Sequence, residues 1–281
     1  MTISTVTSLN SLFNSIFEDA LFVAREQNLM AGLVTNYVGT GMANRQLGIY
    51  PQLSAQTRTE GVDYANATEF TKTSQMTLTP TSKIVQAILT DQRIATDPDD
   101  ARADAAREMG GAIATKIDTD LVGLFSGFSG GKGSANNALT ITNCAAAIAL
   151  LRNNKAPNPI TVVLHPYGWF DIWVLLGQPA ATYDFLGETA NEAMRAFAVG
   201  QFIGAQWFID ANISVDSSDD AIGAAFHREA LALDTRKAPT LEIERDASLE
   251  GWELNLTAWY GVAERRDSFG VKLTHDATEP T

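Results

Sequence analysis

Hydrophobic residues in this chain fall first into helical spacing, then into a long polar gap, then back into helical spacing, and at last into strand-like alternation. Near the start, Leu9, Leu12, Phe13, Ile16, Phe17, Ala20 and Ala24 recur at three- and four-residue steps. That spacing predicts an amphipathic helix within residues 1–38, with Ser8 or Asn10 as its cap. An apolar face at that position must dock, either on its own body or on a neighbouring subunit. Residues 45–51 read as a short strand, and Met76, Leu78, Ile84, Ile88 and Leu89 mark a β-rich return interrupted by Pro80. Between them lies LSAQTRTEGVDYANATEFTKT, residues 53–73, rich in Thr and Ala and poor in large aliphatics. Loops of that length are uncommon inside compact domains unless they have a task. This one has too little apolar surface to bury on itself, so its stability is expected to come from another chain.

The strongest helical pattern follows. Asp97 suits an N-cap, Pro98 suits the first helical position, and Asp99 and Asp100 set negative charge against the positive end of the dipole. Ala106, Met109, Ile113, Ile117, Leu121 and Leu124 hold one face, predicting a helix over 98–125, a rod of about 40 Å. Gly110 and Gly111 at its middle weaken it or permit close packing. Beyond it the pattern alternates: an Ala-rich helix over 142–152, a Pro-punctuated turn over 155–159, and a β-branched run over 160–165 of the kind buried on both faces. Helices over 166–176 and 191–199 and a strand over 207–215 follow. The remainder reads as strands, GAAFHREALALD, TLEIER, GWELNLTAWYGVAER and SFGVKL, separated by Asp, Ser, Gly and Pro. The fold class is α+β.

Composition narrows the function. The 281 residues carry 33 acidic and 20 basic side chains, a formal charge of −13 with the basic ones scattered, which disfavours a nucleic-acid reader. No run of 18 apolar residues offers a membrane-spanning helix. The first 24 residues hold no Lys or Arg and include Glu18 and Asp19, unlike a secretory signal. The single cysteine, Cys144, sits in NCAAAIALL and reads as an inert core thiol.

Candidate chemistry is sparse. Gly127-Phe128-Ser129-Gly130-Gly131 satisfies G-x-S-x-G, but a nucleophile elbow needs a strand before it and a helix after it, and the pattern supplies neither. As a phosphate loop it has Ser126 for the first glycine and Gly133 where the magnesium-holding hydroxyl belongs. A glycine-rich cap and hinge after the long helix is the expected role. Asp118-x-Asp120 with Gly123 lacks the remaining ligands of a calcium loop, and Asp216, Asp219 and Asp220 read as a solvated turn. His165, His227 and His275 have no metal spacing and read as structural. A triad of Ser129, Asp210 and His227 can be written only by ignoring the missing elbow. Trp169, Phe170, Trp173, Trp252, Trp259 and Tyr260 are spaced for cores or subunit contacts. No catalytic residue, metal or cofactor is expected.

The order of elements, and the stretches LTPTSKIVQAILTDQRIATDPDDARADAAREMGGAIATKIDTDLVGLFSG (78–127), NNKAPNPITVVLHPYGWFDIW (153–173), AFHREALALD (225–234) and WYGVAERRDSFGVKL (259–273), resemble the tailed-phage major capsid proteins with the HK97-type fold. The resemblance covers nearly the whole chain. It implies an N-terminal arm (1–44), an extended E-loop hairpin with its return strand (45–92), a spine helix of the peripheral domain (93–135), an axial domain (136–222) and a closing β part of the peripheral domain (223–281). It also implies self-assembly into pentamers and hexamers of an icosahedral shell around double-stranded DNA held without sequence-specific binding. Assembly in the host cytoplasm and residence in the virion follow. Portal and decoration proteins are implied partners, as is a separate scaffolding protein, because the chain begins directly with its arm.

On this resemblance Arg58, Glu60, Asp63, Glu69 and Lys72 in the E-loop are candidate intersubunit contacts. Some shells of the family crosslink through a lysine in that loop. Lys72 is the one near its tip, with no local pattern for an acidic catalyst or amide acceptor. Three alternatives stay open: an encapsulin-like nanocompartment shell, a serine hydrolase using Ser129, and a soluble oligomeric adhesin or tail component.

Overall fold

The computed structural model describes residues 29–50, 53–63, 69–72, 74–96, 100–177 and 200–280. The helices expected near the N-terminus and over 191–199, and the Asp97–Asp99 cap, lie outside these residues. Two larger sheets and one small one organise the rest.

The four-stranded sheet has the order β1 (Thr35–Val38), β10 (Leu231–Asp246), β11 (Gly251–Glu264), β4 (Thr81–Thr90). A four-residue helix α1 (Met30–Leu33) precedes β1, and the six-residue α2 (Asp91–Thr96) follows β4. Along β4 the alternation works as period 2 requires: Val85, Ala87 and Leu89 pack inward while Ser82, Ile84, Gln86 and Ile88 face out. The inner face is covered by α3 (Asp100–Val122), which packs on β4 and β11 through a row including Met109, Ile113 and Leu121. Its 23 residues give a rod of about 34 Å. One polar cluster fixes it to the sheet. The Asp120 carboxylate accepts from the Tyr260 hydroxyl at 2.8 Å and from Lys116 Nζ at 2.7 Å, with Lys83 Nζ at 3.8 Å. Burial and that neighbouring carboxylate push the Tyr260 phenol upward, so it stays a donor.

The long helix does not stop at a glycine cap as its sequence suggested. It tightens into a 3₁₀ turn over Gly123–Gly127, and Gly130–Gly133 then forms a strand, β5, parallel to β12 (Gly270–Asp276). The glycines are not a hinge here; they permit close approach. A Cβ on Gly131 would lie 3.3 Å from the Lys272 stem, and one on Gly133, at φ +78°, would collide with the Thr274 carbonyl.

β5 and β12 begin a six-stranded sheet of order β5, β12, β9 (Asp220–His227), β6 (Ile160–Leu164), β8 (Ala205–Ile209), β7 (Gln201–Phe202). Helix α4 (Ile141–Asn153) packs on β5, β12 and β9, capped by Thr140 Oγ1, which accepts from Asn143 N at 3.2 Å. Helix α5 (Pro166–Gly177) directly follows β6, whose five residues are all buried, as the unbroken apolar run predicted.

Two strand expectations need correction. The strand foreseen over 207–215 is Ala205–Ile209; Asp210 then turns the chain, its Oδ1 accepting from Asn212 N at 2.8 Å. The segments GAAFHREALALD and TLEIER are not punctuated at Pro239. β10 runs through it, and the proline falls in a register irregularity between Lys237 and Thr240, where a missing N–H costs no ladder bond.

Trp169 is 1% exposed and meets Trp207 at a centroid distance of 5.8 Å, while Trp207 Nε1 donates to the Phe202 carbonyl at 2.8 Å. Trp169→Ala is expected to cost about 3–5 kcal/mol. Urea denaturation of dissociated subunits measures this, and a loss under about 1 kcal/mol would contradict the packing.

Candidate intersubunit surface

The small sheet pairs β2 (Arg45–Ile49) with β3 (Ser74–Leu78) and, among the described residues, is hydrogen-bonded to no other strand. It carries the polar excursion. Residues 53–63 and 69–72 have neither helix nor strand, and every one is exposed. Leu53, Val62 and Phe70 hold more than half of their surface in solvent, an unusual exposure of apolar area unless something covers it. One local contact stiffens the base. Tyr50 stacks on Phe70 with centroids 4.6 Å apart and planes 5° from parallel, and Lys72 Nζ stands 5.6 Å above the Tyr50 ring. Gly48 makes this possible, because a Cβ there would collide with the Lys72 stem.

Arg58, Glu60, Asp63 and Glu69 are all exposed, and among the described residues none has an ion-pair partner. Lys72 lies at the base of the loop beside Tyr50 and Gly48, not near the tip as the sequence suggested; the other four are not brought together. A second outward feature lies on the four-stranded sheet. Ile84 is 61% and Ile88 50% exposed on edge strand β4, opposite Thr257 and Glu253 of β11.

The root of the excursion holds groups that sequence reading missed. Asp234 is completely buried, and its Oδ2 accepts from Arg45 Nε at 3.1 Å and from Arg236 Nε and Nη2, each at 2.8 Å. Arg45 Nη2 also donates to the Val38 carbonyl at 2.9 Å, and Arg236 Nη1 to the Thr40 carbonyl at 3.3 Å. The signal available in the sequence was an aspartate ending the apolar run ALAL, where a solvent-facing charge is out of place.

Asp118, on α3, was weighed only as a calcium ligand, and its structural role was missed. Its two oxygens accept from Leu29 N and Met30 N at 3.2 Å each, which ties the start of the described chain to the long helix. Burial, reinforced by the negative charge of Asp210, raises its carboxyl from 3.8 to about 6 despite those two bonds.

The hydrolase constellation is not assembled. Ser129 Oγ and N both bond to Asp267, the backbone contact at 2.7 Å. His227 Nδ1 instead accepts from Glu229 N at 3.3 Å and its ring meets Phe269 edge-on. In the DSSDD turn, Asp216 Oδ1 accepts from Ser218 N and Asp220 N, an internal tie rather than an open ligand set. Cys144 is buried, and that burial pushes its thiol up to about 12.

The described residues thus combine a helix-backed sheet, a second α/β sheet and a hairpin that carries an exposed loop. A family model described as phage capsid protein matches residues 79–277. The chain belongs to that family, the phage capsid proteins, and has the HK97-type fold. The capsid of cyanophage P-SCSP1u is similar at a TM-score of 0.71 and 14% identity, with 89% of each chain covered. Mycobacterium phage Che8 gives 0.66 at 18% identity, covering 82% of this chain and 84% of the other. A virus-like particle from Pyrococcus furiosus gives 0.62 at 11%, covering 93% and 98%. At such identities the likeness is one of fold. No curated protein matches the sequence.

Proposed function

We propose that this capsid protein assembles into the pentamers and hexamers of an icosahedral shell that encloses double-stranded DNA, each subunit reaching onto a neighbour through residues 50–73. The observation that carries this is the exposure of the excursion: each of its residues 53–63 and 69–72 is exposed, with Leu53, Val62 and Phe70 more than half in water. Covering such side chains on another subunit is worth roughly 1.5–3 kcal/mol apiece, and closed symmetry repeats the gain around the shell. Arg58, Glu60, Asp63, Glu69 and Lys72 would then supply the polar rim of that contact.

On this reading residues 1–44 form an arm, 45–92 the loop and its return, 93–135 the spine, 136–222 the axial domain and 223–281 the closing β part. The charge of −13 suits a container whose wall must not grip the packed genome. Assembly in the host cytoplasm would draw on a scaffolding protein and a portal, with decoration proteins added outside. The role is mechanical rather than catalytic.

A second reading, an encapsulin-like compartment, stays open because the virus-like particle from Pyrococcus furiosus has the same fold. Negative-stain microscopy of the purified protein, followed by nuclease-protection analysis of the particle contents, separates the two. Closed shells with protected DNA are expected. Shells holding protein cargo would support the compartment, and rings or fibres would overturn both.

A further inference from the structure

We infer that Arg45, Asp234 and Arg236 form a pin that sets the direction in which the 50–73 excursion leaves the body, making Arg45 a positioning residue for assembly; this rests on the shell reading above. The chain itself anchors the β3 side, where buried Leu78 leads through Thr79 and Pro80 into β4, but on the β2 side the backbone leaves that direction weakly determined. β1 ends at Val38 beside β10, the chain turns through residues 39–44, and β2 starts a sheet that pairs with nothing else among the described residues. The side chains supply the constraint. Arg45, the first residue of β2, bonds both to Asp234 of β10 and to the carbonyl ending β1, and its guanidinium lies 5.3 Å above the Tyr37 ring. Arg236 joins the same carboxylate oxygen to Thr40 in the turn, and Gly39 N donates to the Thr235 carbonyl at 3.1 Å. Gly39 leaves room for both cations: a Cβ there would lie 2.7 Å from Arg45 Nη2 and 2.9 Å from Arg236 Nη1.

The charge count separates this from simple neutralisation. Two guanidiniums face one carboxylate, and Arg236, whose side chain is nearly buried, already balances Asp234. Arg45 is partly exposed and surplus to that balance. What it adds is geometry, since its planar fork fixes angle as well as distance. The leverage is large. Fifteen residues from Arg45 to the loop tip extend up to about 50 Å, so a rotation of about 10° at the root moves the tip by about 9 Å. A displacement of that size takes every contact at the tip out of register.

The test uses the full chain carrying Arg45→Met, which keeps the stem volume and leaves Asp234 paired with Arg236. The expected result has three parts. The thermal midpoint of the dissociated subunit stays within about 3 °C of wild type. Amide hydrogen exchange over residues 39–49 quickens at least about tenfold. Closed-shell yield by microscopy and sedimentation falls about tenfold in favour of open or irregular forms, and Arg45→Lys, which keeps the charge without the fork, recovers it only in part. Wild-type exchange rates with wild-type shells would overturn the inference. So would a midpoint far below wild type, because Arg45 would then be holding the fold rather than the loop. Failure of the wild-type chain to form shells would instead strike the shell reading, and the exchange comparison would still decide the pin.

Discussion

Replacing residues 50–73 with an Asn-Gly turn is expected to leave a subunit that melts like the full chain and builds no shells. The strands permit the cut. Ile49 faces Ser74 across the β2–β3 ladder, so a two-residue turn closes the hairpin in the register it already has. Among the described residues between 50 and 73, none belongs to the buried core. The cut removes the Tyr50–Phe70 stack and the Lys72 cation above it, together worth about 1–2 kcal/mol. The thermal midpoint of the dissociated subunit should therefore move by only a few degrees. Assembly suffers far more. Four apolar side chains, Tyr50, Leu53, Val62 and Phe70, forfeit their cover at every subunit interface; even about 3 kcal/mol per interface is more than a hundredfold in each association constant. Calorimetry with sedimentation and microscopy reads both halves. A truncated chain that still closes into normal shells would remove the basis for the proposed function.

The second large effect concerns acid. Two sets of buried groups should pull stability in opposite directions between pH 8 and 4. Burial lowers His165, His227 and His275 from 6.5. For His165 the charge of His275 lowers it further while Asp210 opposes; Glu229 opposes at His227; the Leu273 carbonyl, Asp220 and Asp276 oppose at His275. As pH falls through 6.5 the unfolded chain takes up protons that these native imidazoles resist, so stability falls. His275 is the extreme case: it is 0% exposed, its Nδ1 lies 3.1 Å from the Leu273 carbonyl, and its Nε2 has no partner among the described residues.

Asp118 acts the other way. Its native carboxyl takes a proton at about 6 and the unfolded one at 3.8, so its contribution rises as pH falls through that window. His275→Leu is expected to match wild type within about 1 kcal/mol at pH 8, since it removes an orphaned nitrogen at similar volume, and to exceed it at pH 5. Asp118→Asn should do the reverse, losing ground to wild type between pH 6 and 4. Denaturant titrations of dissociated subunits at pH 8, 6.5, 5 and 4 supply the curves. Three parallel profiles would contradict both assignments.

Local order explains why much of the architecture was legible before any coordinates. A 3.6-residue period wrote α3 from Met109 to Leu121, a continuous β-branched run wrote β6, and alternation wrote β4 and β11. The long polar gap was readable as an excursion because its composition cannot pay for its own ordering. Errors came where a residue type has two meanings. Glycines after α3 looked like a hinge, but their lack of side chains served close strand packing against Lys272 and Thr274. Pro239 looked like a break, but a bulge absorbed it.

The sequence by itself determined the long helix, the buried strand β6, the alternation of β4 and β11 and the exposed loop, because hydrophobic period and composition act over neighbours within a few turns or strand residues. Only the tertiary structure decided which charges meet. Arg45 finds Asp234 across 189 residues, and Asp118 finds Leu29 and Met30 across 89 and 88. Such pairings leave no periodic trace. They exist because burying a charge demands a partner, and the fold alone fixes which partner lies within reach.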